Sequence, residues 1–566
     1  MPAFDEVAAR VRGDELGRAT RVPTPYGPRL LCYADLTATG RAVGFLERQL
    51  SALLPYYANT HTALSTTARV TSSLREQARH RIARGVHAGP EDEVLFVGSG
   101  ATAAVNKLVG MLGLRIPEPL EREHRLSAAI PRQRRPVVLA GPYEHHSNEL
   151  PWLESIAELC EVALGPDGAI DLADLAAKAR AHRDRPLVIG AISAASNVTG
   201  VLTDVAAVAR ILHAEGAVCC VDYAAAGPYV PIDMHPPDPA ARLEAVFLSV
   251  HKCMGGPGAS GVLVAHRSLF RSRVPERPGG GTVDYVSSFE KLQVDYAPRL
   301  AEREEGGTPS ILGDVRAGLA FALRELLGPE RIRAHELRLA ERAWQRLAGH
   351  PRLQLLGPGT GERLPILSFN VEGLHHDLVS ALLDQLFGIQ NRAGCSCAGP
   401  YGHRLLGIDR ERSAEYRRLI GLGLLGVKPG WVRISLPYYF TEADADFVLS
   451  AVEFLADEGE AFVPLYRLGW RDGLWRHTGH TPPDPAPLAV DPAALWAARD
   501  AATAPEATIS DEVLAAERAG YLREARELAA RLRRRWAEEK PAWNRPLGRP
   551  EVDHLVWFKY VETDGP

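Results

Sequence analysis

Short apolar runs alternate with longer amphipathic segments through the first half of the chain. Apolar, β-prone runs predict buried strands at 93–98, 136–141, 186–193, 217–224, 245–250 and 260–265. Apolar residues at three- and four-residue spacing predict helices at 102–112, 148–160, 171–183 and 204–216. Such alternation is typical of a mainly parallel sheet covered by helices on both faces. We therefore predict an α/β fold.

The pattern changes after residue 310. A long helical pattern over 312–350 leads into mixed strand-like and helical pieces, which predicts a smaller α+β domain. We expect four parts: 1–50 as an N-terminal segment packing with the small domain, 51–310 as the large domain, 311–457 as the small domain, and 458–566 as a Pro-rich and helical extension.

The extension contains a predicted helix. A Pro-rich connection at 476–492 precedes it. From Ser510 to Lys540, apolar residues recur at helical spacing, at Leu522, Ala525, Ala529, Leu532 and Trp536. The basic run RLRRR at 531–535 is either a solvated helix face or a docking site for an acidic partner.

Composition narrows the class of protein. The 566 residues are 46% hydrophobic and 24% charged, as in globular proteins, and the net charge of −5 argues against bulk affinity for nucleic acid. We expect no membrane span, because no apolar run is long enough. The charged N-terminus lacks the apolar core of a signal peptide, so we expect a cytoplasmic protein. The seven cysteines are odd in number and scattered, which is no disulfide framework.

Polar residues follow the predicted strands, at the edge where α/β sheets bind ligands. In chain order they are Gly100, Ala101 and Thr102, then His145, Asn197, Asp222, and finally Ser249, His251 and Lys252. Each has an ordinary structural explanation when taken alone, such as a Gly-rich turn or a hydrogen-bonded loop histidine. Lys252 is the most unusual, because it follows a buried strand and an unpaired buried ammonium is costly.

One explanation accounts for the whole set. A pyridoxal phosphate cofactor needs a lysine for its Schiff base and an acid beside the ring nitrogen, and Lys252 and Asp222 suit these roles. His145 would stack on the ring and Asn197 would donate to its phenolic oxygen. The turn at Gly100, Ala101 and Thr102, with Ser249 and His251, would hold the phosphate. No metal is required.

The motifs also resemble a known family. The ordered motifs are EHHSNELPW (144–152), SNVTG (196–200), VD-x-A (221–224), S-x-HK (249–252), EGGTP (305–309) and RAGCSCAGP (392–400). Over roughly residues 25–457 the chain resembles the class V, fold type I pyridoxal-phosphate enzymes, especially SUF-type cysteine desulfurases and selenocysteine lyases. The resemblance implies a fold type I transferase with a large α/β/α domain, a smaller α+β domain and, here, a C-terminal extension.

The resemblance also implies roles for further residues. Arg433 would bind the substrate carboxylate, with Arg392 and Asn197 nearby, and Cys397 would be the nucleophile. Thr282 of the GGGT motif would reach the cofactor site of a partner subunit, which implies a homodimer. Sulfur would leave L-cysteine as a Cys397 persulfide with release of alanine, and a protein acceptor would then take it.

Four departures from the family pattern keep other functions open. Ala225 and Thr62 stand where the family has glutamine and arginine, the chain carries an insertion between the Cys397 loop and Arg433, and Cys395 adds a second thiol. Cys395 is interpreted as a relay thiol, a structural thiol, or a metal ligand with Cys397 and His403. The alternative functions are an aminotransferase, epimerase or β-lyase of a small amino acid in specialised metabolism, or a non-catalytic sulfur-transfer scaffold.

Overall fold

A seven-stranded sheet forms the centre of the large part of the molecule. The computed structural model describes residues 2–62, 64–289, 293–481, 491–492, 496, 508–544 and 549–561. In order across the sheet, the strands are Asp92–Val97, Gly261–His266, Ala245–Leu248, Val218–Asp222, Val188–Ser193, Val137–Ala140 and Glu158–Glu161. The strands predicted from the apolar runs are all present, which confirms the α/β assignment.

Strand direction brings the functional residues to one edge of the sheet. The pairings from Ala245–Leu248 to Glu158–Glu161 are parallel, whereas Gly261–His266 is antiparallel to both of its neighbours. Ser193 lies opposite Asp222, and Asp222 lies opposite Phe247. The carboxyl ends of these strands therefore meet along one edge, where α/β sheets bind ligands.

The edge strand Glu158–Glu161 corrects one prediction. Residues 148–160 were expected to form a helix, but only Leu150–Leu153 is helical. The following residues pair in parallel with Val137–Ala140 instead. This pairing supplies hydrogen bonds to the backbone N–H and C=O groups of a half-buried segment. Because the tertiary pairing outweighs the local helix propensity, the segment forms a strand.

Helices cover both faces of the sheet. Alternate strand residues enter different cores: Val246 and Leu248 pack on one face, and Ala245 and Phe247 pack on the other. The long helices around the sheet are Thr66–Gly85, Gly100–Met111, Leu172–His182, Val205–Ala214 and Ile311–Leu327. Burial on both faces explains why these strands are continuous apolar runs.

A smaller antiparallel sheet forms the second core. Its strands, in order, are Leu353–Leu355, Ile366–Val371, Trp431–Ser435 and Arg392–Gly394. The helices Pro329–Leu347, His376–Phe387 and Glu442–Glu458 pack with it. The predicted helix over 312–350 is two helices, because Gly328 has φ +81° and ends the first one.

The helix Asp511–Glu539 confirms the predicted C-terminal helix. Ser510 caps its N-terminus by accepting a hydrogen bond from the Val513 amide. Its buried face joins the small-domain core, and Arg518 forms a buried ion pair with Asp444. Its outer residues pair with the N-terminal segment: Glu524 pairs with Arg29, and the Tyr521 hydroxyl accepts from the Leu30 amide. This helix therefore links residues near 30 to Glu442–Glu458.

Shorter elements complete the described chain. The remaining helices are Phe4–Gly13, Gly44–Leu53, Glu118–His124, Leu300–Glu304, Gly399–Leu405, Arg410–Gly421 and Pro550–Asp553. Short strands pair as Arg21–Val22 with Arg29–Leu30, Cys32–Tyr33 with Ile389–Gln390, Val283–Val286 with Val294–Tyr296, and Tyr466–Leu468 with Trp475–His477. Most of the predicted Pro-rich connection lies outside the described residues, and the four-part domain division stays a prediction. Of the helices described, none is both long and apolar enough to cross a bilayer.

Candidate active site

A cavity of about 230 Å³ lies at the carboxyl edge of the large sheet. Its lining includes Gly100, Ala101, Thr102, His145, Asn197, Asp222, Ser249, His251, Lys252, Arg392, Cys397 and Arg433. Thr282 is buried in its own loop, where its hydroxyl donates to Gly279, and it is not among the residues that line this cavity. The structure thus brings together every predicted site residue except the one assigned to a partner subunit.

Lys252 sits in a short turn directly after the strand Ala245–Leu248. Burial lowers the pKa of its side chain to about 8, and the negative charge of Asp222 opposes this shift. Among the described residues, its Nζ has no hydrogen-bond partner. The amine is therefore available for chemistry near neutral pH. The turn packs closely on the N-terminal segment, where a side chain at Gly40 would lie 1.9 Å from the Cys253 carbonyl oxygen.

Asp222 ends its strand with a buried carboxylate. Its Oδ1 accepts a hydrogen bond from the Ala224 amide at 2.7 Å. Burial raises the pKa of Asp222, whereas the Ala224 amide and Lys252 lower it. This arrangement directs a carboxylate and an amine into one small cavity.

A second buried carboxyl lies close to Asp222. Glu144 accepts hydrogen bonds from the Ser193 hydroxyl at 2.6 Å and from Asn148 Nδ2 at 2.7 Å. Burial raises the pKa of Glu144 to about 8, and Asp222 adds to the increase. Glu144 is thus largely protonated at neutral pH, which removes a second negative charge from beside Asp222.

His145 is held in one orientation and stays neutral. Its Nδ1 accepts a hydrogen bond from the Ser147 amide at 3.1 Å. Burial, and then the charge of Lys252, lower the pKa of His145 to about 3. A neutral imidazole can lie flat against an aromatic ring without the cost of burying a charge.

The N-terminus of the helix Gly100–Met111 opens into the cavity. Gly100 has φ +57°, and no side chain caps this helix end. The Ala101 amide donates to Ser249 Oγ at 2.9 Å, and the hydroxyls of Thr102 and Ser147 lie 2.6 Å apart. The positive end of the helix dipole together with these hydroxyls forms a site suited to a phosphate group.

Two arginines share one carboxylate at the opposite side of the cavity. Asp35 Oδ1 pairs with Arg433 Nη2 at 3.0 Å, and its Oδ2 pairs with Arg392 Nε at 3.1 Å. Arg433 Nη1 also donates to the Asn197 carbonyl at 3.0 Å. Burial lowers the pKa of Arg433, and Asp35 opposes this shift. The guanidinium of Arg433 is therefore fixed before any substrate arrives.

The Cys397 loop has an uncommon backbone. Ser396 and Cys397 both have positive φ, at +50° and +55°. Three hydrogen bonds hold the loop: the Ser396 carbonyl accepts from Asn197 Nδ2, the Cys397 carbonyl from the His146 amide, and His146 Nε2 from the Gly399 amide. Cys397 is nevertheless exposed. A strained, anchored backbone that presents a thiol is typical of a functional site.

The second thiol does not form the considered metal site. Cys395 is half-buried and packs against an apolar cluster with Tyr143 and Tyr401. Within the described ranges, the three-residue group with ligand atoms close enough to share a metal is His375–Asp377, not Cys395 with Cys397 and His403. Burial lowers the pKa of His376 and raises that of Asp377 to about 6, and the positive charge of Lys428 acts on both groups. That charge would oppose a bound cation.

Comparison with known proteins identifies the family. The family model described as "Aminotransferase class-V" matches residues 32–448. The chain belongs to the aminotransferase class-V family. This confirms the predicted class V assignment and its fold type I architecture, and indicates an enzyme.

The relatives of this class-V chain compared below are all named as cysteine desulfurases. A protein of Streptomyces coelicolor, named "Probable cysteine desulfurase", is 31% identical over 379 residues, covering 65% of this chain and 84% of its own. A protein of Halalkalibacterium halodurans with the same name is 30% identical over 376 residues, with the same coverage. The apo structure of a cysteine desulfurase from Thermococcus onnurineus NA1 superposes with TM-score 0.61 at 26% identity, covering 75% of this chain and 95% of that one. The predicted resemblance to cysteine desulfurases is confirmed.

Sequence reasoning missed three residues of this class-V site: Asp35, Glu144 and Ser147. Asp35 lies in the N-terminal segment, far in sequence from the arginines that it pairs with. Glu144 and Ser147 flank the histidines of EHHSN, so the motif itself was the available signal. Their roles depend on contacts that no linear pattern contains.

Proposed function

We propose that this protein is a pyridoxal-phosphate-dependent cysteine desulfurase that removes sulfur from L-cysteine. One observation carries the proposal: the Lys252 amine, the Arg433 guanidinium and the Cys397 thiol line one cavity. The class-V family and the names of its relatives support the same activity.

The residues present fit the proposed cofactor. When bound, pyridoxal phosphate supplies a ring that stabilises negative charge at the α-carbon of an amino acid. Lys252 would bind its aldehyde, Asp222 would face its ring nitrogen, and the N-terminus of Gly100–Met111 would hold its phosphate. The Asn197 side-chain oxygen is buried without a hydrogen-bond partner, which indicates a cavity that is completed by a ligand.

The wall beside the ring position is made of small residues, including Ala195, Ala224 and Ala225. Ala225 cannot donate a hydrogen bond, and Asn197 Nδ2 already donates to the Ser396 carbonyl. The Nδ2 group of Asn197 would therefore have to donate one hydrogen bond to the Cys397 loop and another to the cofactor. The alanine at position 225 would therefore change the electron distribution in the cofactor ring, but the cofactor could still bind.

Arg433 is suited to the substrate carboxylate. Its Nη atoms are engaged with Asp35 and the Asn197 carbonyl, but its buried Nε has no hydrogen-bond partner. Arg392 is half exposed on the same side of the cavity and adds a second positive charge. A carboxylate bound between them would leave the α-carbon directed toward the Lys252 amine.

Sulfur would then transfer to Cys397. The neutral Lys252 amine takes the substrate α-proton. The Cys397 thiolate attacks the substrate sulfur, so that a sulfur–sulfur bond forms while the carbon–sulfur bond breaks and leaves its electron pair on carbon. A proton then joins that carbon, Lys252 returns a proton to the α-carbon, alanine leaves, and Cys397 carries a persulfide for an acceptor.

We also propose that two copies form a dimer. Thr282 does not line the cavity of its own chain, and the family resemblance assigns it to the cavity of a partner. Nearby segments carry exposed apolar side chains: Leu54, Tyr56, Tyr57 and Leu64 in one, and Tyr285, Val286 and Phe289 in the other. Exposed apolar residues in this number are typical of an interface. Light scattering of the loaded protein tests the proposal, and a monomer would contradict it.

Product analysis with L-cysteine tests the function. The loaded enzyme should release alanine in an amount equal to the sulfur recovered, and mass spectrometry should find one added sulfur on Cys397. Cys397→Ala should abolish both products while the absorbance of the bound cofactor remains. Pyruvate as the product, or full turnover by Cys397→Ala, would instead support the β-lyase or aminotransferase alternative.

The matched control is Cys395→Ser, which should still load sulfur on Cys397. A protein that binds no cofactor and releases no alanine would leave only the scaffold alternative.

A further inference from the structure

A second cavity, of about 400 Å³, lies in the small domain, away from Lys252. It opens between the edge strand Leu353–Leu355, the helix Arg410–Gly421 and Trp557. Leu353, Val371, Leu406 and Ile408 supply apolar lining. Its size falls within the range of small-molecule sites in proteins.

Two segments that do not line the Lys252 cavity contribute to this one. The helix Arg410–Gly421 lies in the insertion between the Cys397 loop and the strand Trp431–Ser435. Trp557 lies beyond residue 448, where the match to the family model ends. The two cavities share no lining residue.

The side chain of Trp557, which forms the aromatic wall of the cavity, is held in place by its neighbours. The indole of Trp557 stacks on His376 with 5.9 Å between ring centroids and 12° between planes, and on His375 at 5.6 Å and 13°. The Lys559 amide donates to the Gly373 carbonyl at 2.8 Å, which anchors the backbone next to this wall. A wall that is ordered in advance costs little conformational entropy when a ligand binds.

Polar groups of the cavity lack partners. Asn370 Oδ1 is buried without a hydrogen bond. Tyr416 is 6% exposed, and its hydroxyl has no partner among the described residues. Arg412 is exposed and has no ion pair in the described part of the chain, whereas Arg352 is paired with Glu460. Unpaired buried polar atoms are rare in native proteins, because each costs free energy, so Asn370 Oδ1 points to a missing ligand. The Tyr416 hydroxyl and the Arg412 guanidinium are then available to the same ligand.

The lining defines the chemistry of that ligand. Trp557 and Tyr416 favour a planar ring, the Arg412 guanidinium favours a carboxylate, and Asn370 Oδ1 requires an N–H or O–H donor. Glu372 also lines the cavity, and a donor on the ligand would suit its carboxylate as well. We propose that this cavity binds a small aromatic carboxylate that carries one hydrogen-bond donor.

Calorimetric titration of the cofactor-loaded full chain with indole-3-acetate tests the proposal, because this probe has the ring, the carboxylate and the N–H. We expect saturable binding in the micromolar to millimolar range. Indole, which lacks the carboxylate, should bind at least tenfold more weakly, because a hydrogen-bonded charge pair contributes about tenfold or more. Absence of saturable binding would overturn the proposal.

Variants locate the probe. Arg412→Gln and Trp557→Ala should each weaken binding of indole-3-acetate at least tenfold, whereas Trp557→Phe keeps a ring and should lose less. Arg523→Gln, on an exposed position of Asp511–Glu539, is the matched control and should bind normally. If Arg412→Gln has no effect, the carboxylate of the probe does not bind Arg412, and the proposal is wrong. If L-cysteine displaces the probe, the probe occupies the Lys252 cavity, and the proposal is also wrong.

Discussion

Asp35 Oδ1 lies 3.0 Å from Arg433 Nη2, so a residue of the N-terminal segment is ion-paired with a strand of the small domain. The two residues are 398 positions apart in the chain. The pair is buried, and it fixes the guanidinium that we assign to the substrate carboxylate. Its strength can be measured directly.

Asp35→Ala should lower the free energy of unfolding by about 3 kcal/mol or more, because it leaves the buried Arg433 charge unpaired. The substrate KM should rise as well, since Arg433 and Arg392 lose their common anchor. Urea denaturation and steady-state kinetics measure the two effects. Asp35→Asn, which keeps the size and an acceptor but not the charge, should lose less stability, and a loss equal to that of Asp35→Ala would indicate that the charge alone, not the hydrogen-bond acceptor or packing, holds Arg433.

The pKa of Lys252 predicts a pH dependence. The ammonium form cannot attack an aldehyde, and burial lowers its pKa from 10.5 to about 8. The rate at which the apoenzyme captures pyridoxal phosphate should therefore rise with pH and reach half of its maximum near pH 8. Stopped-flow absorbance follows the capture.

Asp222→Asn serves as the electrostatic control. The negative charge of Asp222 raises the pKa of Lys252, so its removal should move the midpoint to lower pH. A midpoint that stays near pH 8 would show that Asp222 does not act on the amine.

The thiols should differ in reactivity with iodoacetamide. Cys397 is exposed and should react first, and the half-buried Cys395 and Cys160 should follow. Burial raises the pKa of Cys32 to about 11 and that of Cys253 to about 12, so both should stay unmodified in the native protein. Peptide mass spectrometry after limited labelling gives the order. Early labelling of Cys253 would contradict the buried turn at Lys252.

The positive φ of Ser396 predicts a sensitive position. Ser396→Val should lower the free energy of unfolding by about 1–2 kcal/mol, because a β-branched residue is strained in the left-handed region. Ser396→Gly should not destabilise, since glycine adopts this conformation freely and the Ser396 hydroxyl has no partner to lose. Thermal unfolding of the two variants side by side tests the prediction, and equal stability would refute it.

Arg518 anchors the C-terminal helix. Arg518→Met should lower the free energy of unfolding by about 3–5 kcal/mol, because it leaves the buried Asp444 carboxylate without its partner. Arg523→Met, on the exposed face of the same helix, should change stability by less than about 0.5 kcal/mol. Similar effects of both changes would mean that the helix as a whole, not the ion pair, is responsible.

The large sheet and most of the site were predictable for a simple reason. Strands that are buried on both faces have continuous apolar sequences, which are easy to recognise. The ligand-binding residues lie at the ends of these strands, as Asp222 and Lys252 do. The strand Glu158–Glu161 was missed because it lies at the sheet edge and is only half-buried, so its sequence retains a helical period. Asp35 was missed because its importance depends on Arg392 and Arg433, which lie 357 and 398 positions away in the chain.

The contacts of Arg29 and Leu30 with Glu524 and Tyr521 have a consequence for how the molecule is made. A ribosome adds about 5–20 residues each second, so the helix that fixes this segment is synthesised tens of seconds after it. During that interval the nascent chain already contains Asp35. The nearby Arg29 and Leu30, however, do not yet have Glu524 and Tyr521 to bind to. A product interrupted in that interval would carry Lys252 and Cys397, but Arg29 and Leu30 would lack the contacts that hold them against the helix Asp511–Glu539.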